Sequence, residues 1–118
     1  MFKLKGRNLY ISRTQPGTLT IKSKTKITDG EALMKLRIYN VDELETGYLK
    51  EINGKIADDQ MSVNFTFSGS DTEIEDISNE ILTYWYEIRI GEKVIGYDEN
   101  KARILYIYPS GSEFEKTN

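Results

Sequence analysis

The chain has 118 residues, which is enough for one domain with its own hydrophobic core. It contains neither cysteine nor histidine, which excludes disulfides and cysteine-based metal sites and removes the commonest general base. The net charge is −3, but residues 1–37 carry +7 and residues 38–118 carry −10. This polarity favours head-to-tail stacking of copies, or docking on a partner of opposite charge.

The apolar runs are far shorter than a membrane span, and no charged-then-apolar segment opens the chain. We therefore expect a protein without a signal peptide that does not insert into a membrane. Residues 110–118 are polar apart from one phenylalanine, and we expect a frayed tail there. Residues 1–109 are expected to form the single folded domain.

The first predicted strand is Asn8–Ser12, with an earlier start at Phe2 and an interruption near Gly6 as an alternative. From residue 19 to residue 27, apolar or small residues at odd positions alternate with threonine and lysine at even positions, which predicts a half-buried strand. The pair Asp29-Gly30 is typical of a two-residue hairpin turn, and the alternation resumes over residues 34–38. The sequence thus predicts a hairpin of strands 19–27 and 34–38.

The rest of the chain predicts more short strands and one helix. Residues 41–47 indicate a loop or a helical turn. A short helix is predicted over residues 72–80, because Ser70-Asp71-Thr72 can cap it and isoleucines recur on one side. The remaining predicted strands span residues 48–56, 63–67, 82–90, 93–97 and 102–108, with turns near 53–54, 91–92 and 98–100. About seven or eight strands at this spacing predict an all-β, antiparallel, Ig-like sandwich with one short helix.

A basic strip follows from the predicted hairpin. A two-residue turn would place Lys24 opposite Lys35 and Lys22 opposite Arg37, with Lys26 beside them. Like charges directly opposite each other destabilise a sheet slightly, so an acidic partner that lies on the strip would stabilise it. The alternatives are a solvated sheet face, a protein partner, or a nucleic acid backbone. Nucleic acid is the least favoured of the three because the whole chain is acidic.

Two apolar features are candidate contact surfaces. Tyr84 and Tyr86 share a strand face with aliphatic residues and are expected in the core, which turns Trp85 outward. Trp85 is then covered by a loop of the same domain, buried in an interface, or stacked on a sugar ring. The last strand is apolar on both faces, so either a loop or a partner must cover Leu105 and Ile107.

No motif in the sequence indicates catalysis. The acidic clusters at 42–45, 58–59 and 71–76 do not match the spacing of calcium loops. A pair of glycosidase carboxylates is left open, because its members can lie far apart in a chain. We therefore expect no enzyme activity, no cofactor and no metal ion.

Three segments resemble the Ig-like N-terminal domain of bacteriophage baseplate upper proteins and related phage tail proteins. They are residues 13–21 with the following Asp29-Gly30, then Phe67 leading into Asp71-Thr72, and the tyrosine-rich strand 84–90. The chain departs from the family pattern where it has Ile81-Leu82-Thr83 in place of a glycine before the tyrosine strand. It departs again where Arg-Thr-Gln-Pro-Gly replaces an Arg-Gly-Asp-like start.

The resemblance implies a structural role in a phage or prophage tail, with a ring or trimer symmetry and no catalytic residues. The expected partners are other tail or baseplate proteins and further copies of the chain. The expected location is the virion, or the bacterial cytoplasm during assembly. A carbohydrate- or receptor-binding module and a small regulatory domain that binds a host protein remain the alternatives.

Overall fold

The fold is all-β, as the period-two patterns predicted. The computed structural model describes residues 2–41, 47–75, 79–95 and 103–109. Short 3-10 helices lie at Glu31–Leu33 and Gly69–Thr72, and no helix in the described residues could cross a membrane. The described strands are β1 Phe2–Lys5, β2 Asn8–Ser12, β3 Gly17–Lys22, β4 Met34–Asn40, β5 Lys50–Ile56, β6 Ser62–Phe67, β7 Leu82–Ile90, β8 Lys93–Ile95 and β9 Ile104–Tyr108.

The strands form one sheet in the order β1-β2-β9-β7-β4-β5-β6-β3, and β8 pairs with the second half of β7. The sheet curls until its two outer strands approach each other, so its shape is nearly that of a barrel. Phe2 of β1 makes this contact. Its ring centroid lies 5.5 Å from that of Phe67, and the ring occupies the space that a side chain at Gly17 of β3 would need.

The sheet is mixed, so the expectation of purely antiparallel strands was wrong at one pair. Strands β2 and β9 run parallel, with Leu9 beside Leu105 and Ile11 beside Ile107. Parallel neighbours need a long connection, and here almost the whole chain lies between the two strands. The described strands are continuous around the core rather than divided into two separate layers.

The predicted hairpin of strands 19–27 and 34–38 was also wrong. Strand β3 ends at Lys22 and pairs with β6, whereas β4 lies between β7 and β5. After β3 the chain does not form the predicted hairpin, because residues 23–30 dock on the β5–β6 turn. Ser23 N–H donates to the Met61 carbonyl and Ile27 N–H to the Gln60 carbonyl, both at 2.8 Å. Ile27 is buried, so this loop is anchored by an apolar side chain as well.

The predicted helix over residues 72–80 is not formed by the described residues of that range. A 3-10 turn at Gly69–Thr72 ends at the first residue of this range, with the Ser68 N–H donating to Asp71 Oδ2 at 2.7 Å. Residues 73–75 and 79–80 form no helix. Residues 76–78, the predicted turn at 98–100, most of the loop at 41–47 and the tail at 110–118 lie outside the described residues.

Strand β5 runs straight through Asn53-Gly54, where a turn was predicted, and changes partner there. Its residues 50–53 pair with β4, and its residues 54–56 pair with β6. A Cβ atom at Gly54 would lie 2.7 Å from the Phe65 ring and 2.8 Å from the Met34 Cβ. Only glycine therefore allows the two halves of the curled sheet to close over the core at this point.

The core lies inside the curl and draws on seven of the strands together with the loop before β4. Its largest fully buried side chains are Tyr86, Phe65, Phe67, Leu9, Ile11, Met34, Leu36, Ile38, Ile88, Leu105, Ile107 and Val63. Tyr84 is also buried, which confirms the expected core position of both flanking tyrosines. The Tyr86 hydroxyl donates to the Arg7 carbonyl at 2.8 Å, so its polar end is satisfied.

We expect Gly54→Ala to lower the free energy of unfolding by about 1–3 kcal/mol, because the added methyl group overpacks the core. Gly30→Ala is the matched control, since a Cβ atom there meets nothing within 4 Å and the backbone φ of −74° suits any residue. Urea denaturation of both variants measures the difference. Equal stability of the two variants would contradict the close packing at Gly54.

Candidate binding surfaces

The five residues of the predicted basic strip do not lie together. Lys22, Lys24 and Lys26 are exposed at the end of β3 and in the loop that follows. Lys35 and Arg37 lie on β4, which β5 and β6 separate from β3. The strip is therefore split into a group of three lysines and a second pair that has its own carboxylate.

That carboxylate is Glu51, which faces Arg37 across the β4–β5 pair. Arg37 Nε donates to Glu51 Oε2 at 2.8 Å, and Lys35 Nζ lies 3.6 Å from Glu51 Oε1. The hydrogen bond from Arg37 lowers the pKa of Glu51, and the same bond raises the pKa of Arg37. Arg37 also lies over the Tyr48 ring at 4.7 Å. Both cations therefore contact a carboxylate of the same domain.

A second polar group lies beside it on the same outer side of the sheet. Glu87 of β7 is only 5% exposed and accepts hydrogen bonds from the Tyr39 hydroxyl and from Arg89 Nε, the latter at 3.0 Å. Burial raises the pKa of Tyr39, and the hydrogen bond to Glu87 raises it further. The half-buried Tyr39 is thus fixed in orientation as a neutral phenol.

The assignment of faces on the last strand was inverted. Leu105 and Ile107 are each 1% exposed and belong to the core, so they are not available to a partner in this fold. The outward residues of β9 are Ile104, Tyr106 and Tyr108. The reason is the pairing with β7, which places Leu105 beside the buried Tyr84.

Together with Trp85, these residues form a continuous aromatic surface, which we call the tyrosine face. Its members are half-buried and lie outward on β2, β9, β7 and β4: Tyr10, Tyr39, Trp85, Ile104, Tyr106 and Tyr108. Trp85 pairs with Ile104 on one side and with Tyr39 on the other. The rings of Tyr10 and Tyr106 stack with centroids 5.0 Å apart and planes 14° apart. Burial raises the pKa of Tyr108, and the neighbouring Tyr10 and Tyr106 raise it further.

A second surface is a cleft of about 730 Å³ between the loop after β3 and the β7–β8 turn. We call it the lysine cleft. Its apolar lining comes from Ile21, Ile27 and Ile90, and its charged lining from four lysines and two acids: Lys22, Lys24, Lys26, Lys93, Asp29 and Glu92. None of the four lysines forms an ion pair with another residue that the structure describes.

The opposite end of the sheet carries acids and aliphatic side chains, most of them exposed. This acidic end comprises Glu73, Glu75, Glu80 and Ile81, which lie between β6 and β7. Ile81 is 53% exposed, the largest exposed fraction among the large hydrophobic residues described. Two cations lie at this end of the sheet: Lys50 pairs with Asp71 at 3.1 Å, and Arg13 donates to the Glu75 carbonyl at 2.8 Å.

Sequence reasoning identified three lysines of the cleft and Trp85 but missed the residues that complete both surfaces. Lys93 and Ile90 join the cleft because the β7–β8 turn lies beside the loop after β3. Tyr10 joins the tyrosine face because β2 pairs with the last strand. The one available signal was the alternation of Tyr10 with Leu9 and Ile11, which predicts an outward tyrosine but not its neighbours.

No protein-family model, curated protein or solved structure matches this chain. Among the described residues, no group of three or more acidic side chains is arranged to hold a metal ion.

We expect Glu51→Gln to lower the free energy of unfolding at pH 7 by about 0.2–1 kcal/mol, as for other partly exposed ion pairs. The folded-state pKa of Glu51 is lowered from 4.5, so its contribution is present above that pH. It is lost as the pH falls through the lower folded-state value. The difference between wild type and variant should therefore shrink below about pH 4.5.

Denaturant unfolding between pH 3 and pH 7 measures this dependence. Glu31→Gln is the control, because Glu31 is exposed and forms no ion pair with a described residue. A difference between wild type and Glu51→Gln that stays constant over this range would show that the ion pair does not contribute.

Proposed function

We propose that this chain is a non-enzymatic assembly domain that docks protein partners through the tyrosine face. The observation that carries the proposal is a contiguous outward surface of tyrosines, one tryptophan and one isoleucine across four neighbouring strands. Tyrosine and tryptophan are enriched in protein interfaces, because each combines a large apolar area with one polar group. A sheet also holds these rings at fixed spacings, which reduces the entropy lost on binding.

The charges beside the tyrosine face favour the same conclusion. Arg37, Arg89 and Lys35 all contact carboxylates of this chain, and Glu51 and Glu87 are thereby neutralised. A partner that covers this surface does not have to supply cations for these two carboxylates. The cost of removing them from water is partly met in the free domain. The surface therefore suits an apolar contact with a polar rim.

The proposed setting is a phage or prophage tail or baseplate, with other tail proteins and copies of the chain as partners. The resemblance of residues 13–21, 67–72 and 84–90 to the Ig-like tail domains supports this setting. The all-β fold of the chain belongs to the same structural class as these tail domains. The relation of this curled sheet to the Ig-like sandwich is part of the proposal.

A carbohydrate-binding role is the second candidate, and Trp85 favours it. Trp85 lies outward beside Tyr39, and an aromatic pair of this kind can hold a sugar ring. The stacking of Tyr10 on Tyr106 weighs against a wider sugar platform, because one face of each ring is already covered.

The test is co-purification of the chain with the products of the genes beside its own. We expect one of these proteins to bind wild type, and Tyr106→Ala or Trp85→Ala to weaken binding by about tenfold or more, as for interface hot spots. Lys55→Ala is the control, because Lys55 is exposed on the half of β5 that pairs with β6, outside the tyrosine face. Circular dichroism of each variant checks that the fold is kept.

Two results would contradict the proposal. Binding that is equal for wild type and both aromatic variants would place the contact elsewhere. The absence of any neighbour-encoded partner, together with a saturable change in the fluorescence of the single tryptophan on addition of glycans, would favour the carbohydrate role.

A further inference from the structure

We infer that copies of this chain stack end to end, with the acidic end of one copy bound in the lysine cleft of the next. This inference rests on the proposed assembly function. It names a second copy of the chain as the partner and identifies the two surfaces that meet. The tyrosine face takes no part in this contact. The two surfaces are complementary both in charge and in apolar character, and they lie at opposite ends of the same strand.

The lysine cleft has the properties of a receptor for an acidic segment with an aliphatic side chain. Four lysines line it against two acids, and its remaining lining includes three isoleucines. Asp29 lies against Gly91, within the wall of the cleft. Asp58 and Asp59 are exposed on the β5–β6 turn, on which the loop after β3 docks, but they are not part of the lining. The cleft itself therefore has an excess of positive charge.

The acidic end has the matching properties of a ligand. Glu73 and Glu80 are exposed and form no ion pair with another described residue. The neighbouring Ile81 is 53% exposed, and Leu49 and Val41 are exposed at the same end of the sheet at 46% and 37%. An exposed aliphatic side chain that directly follows a glutamate fits a cleft that is lined with isoleucine and lysine.

The two surfaces cannot meet within one molecule. Ile81 immediately precedes β7, whereas Ile90 at the other end of β7 lines the cleft. A strand of nine residues separates its ends by about 27 Å. The complementarity can therefore be satisfied only between copies. Because two different surfaces meet, the contact is heterologous and produces a closed ring or an open stack.

The test is light scattering coupled to size exclusion, at low salt and again near ~0.5 M salt, where exposed charges are screened. Wild type should form oligomers at low salt that dissociate toward the 13.6 kDa monomer at high salt. Lys24→Glu with Lys26→Glu should raise the dissociation constant about tenfold or more, and Glu73→Lys with Glu80→Lys should do the same. An equimolar mixture of the two reversed variants should assemble again, because each reversed end then meets an opposite charge.

The matched control is Lys3→Glu with Lys5→Glu, which changes the net charge by the same amount on an exposed strand outside the cleft. It should assemble as wild type does. A monomeric wild type at low salt would overturn the inference, and so would oligomers that persist in both charge-reversed variants. Failure to restore assembly in the mixture would also overturn it.

Different variants test this inference and the proposed function. The reversed lysines and glutamates lie outside the tyrosine face, so docking of a neighbour-encoded partner should continue when end-to-end stacking is abolished. If Tyr106→Ala abolishes self-association and the charge reversals do not, copies meet through the tyrosine face, and the end-to-end contact is wrong.

Discussion

The change of partner in the middle of β5 is the constraint on which the rest of the structure depends. Without it, the strands on either side of β5 would continue as an open sheet with an exposed apolar face. Gly54 allows the change because the Phe65 ring, Val63 and Met34 occupy the space of its missing side chain. The curl then brings Phe2 to Phe67, so one core is enclosed from both edges of the sheet.

The curl also decides which surfaces can bind. Side chains that point inward are buried, so the outward tyrosines and Trp85 lie on the outer surface, where they are only half-buried. The same curl leaves two ends, and the connections at these ends differ in charge. The loop after β3 carries lysines, whereas the segment between β6 and β7 carries glutamates. Lysines from the basic part of the sequence and glutamates from its acidic part thus lie at opposite ends of the strands.

Local patterns in the sequence predicted the positions of the strands well and the pairing between strands poorly. Alternation placed Tyr84 and Tyr86 in the core and turned Trp85 outward, because side-chain direction depends only on a period of two. Strand pairing depends on distant residues. The Asp29-Gly30 turn signal was overridden by the docking of Ile27 on the β5–β6 turn, which no local pattern shows. The outward face of the last strand was predicted wrongly for the same reason, because its pairing with β7 determines which of its side chains point outward.

The proposed stacking joins the acidic end of one copy to the lysine cleft of another. Zero-length carbodiimide cross-linking of a mixture of ¹⁴N- and ¹⁵N-labelled protein tests it most directly, because mixed-isotope peptide pairs identify links between copies. Mixed-isotope links are expected to join Glu73 or Glu80 to Lys24, Lys26 or Lys93. Links between copies that join other residues, or links found only within one copy, would contradict it.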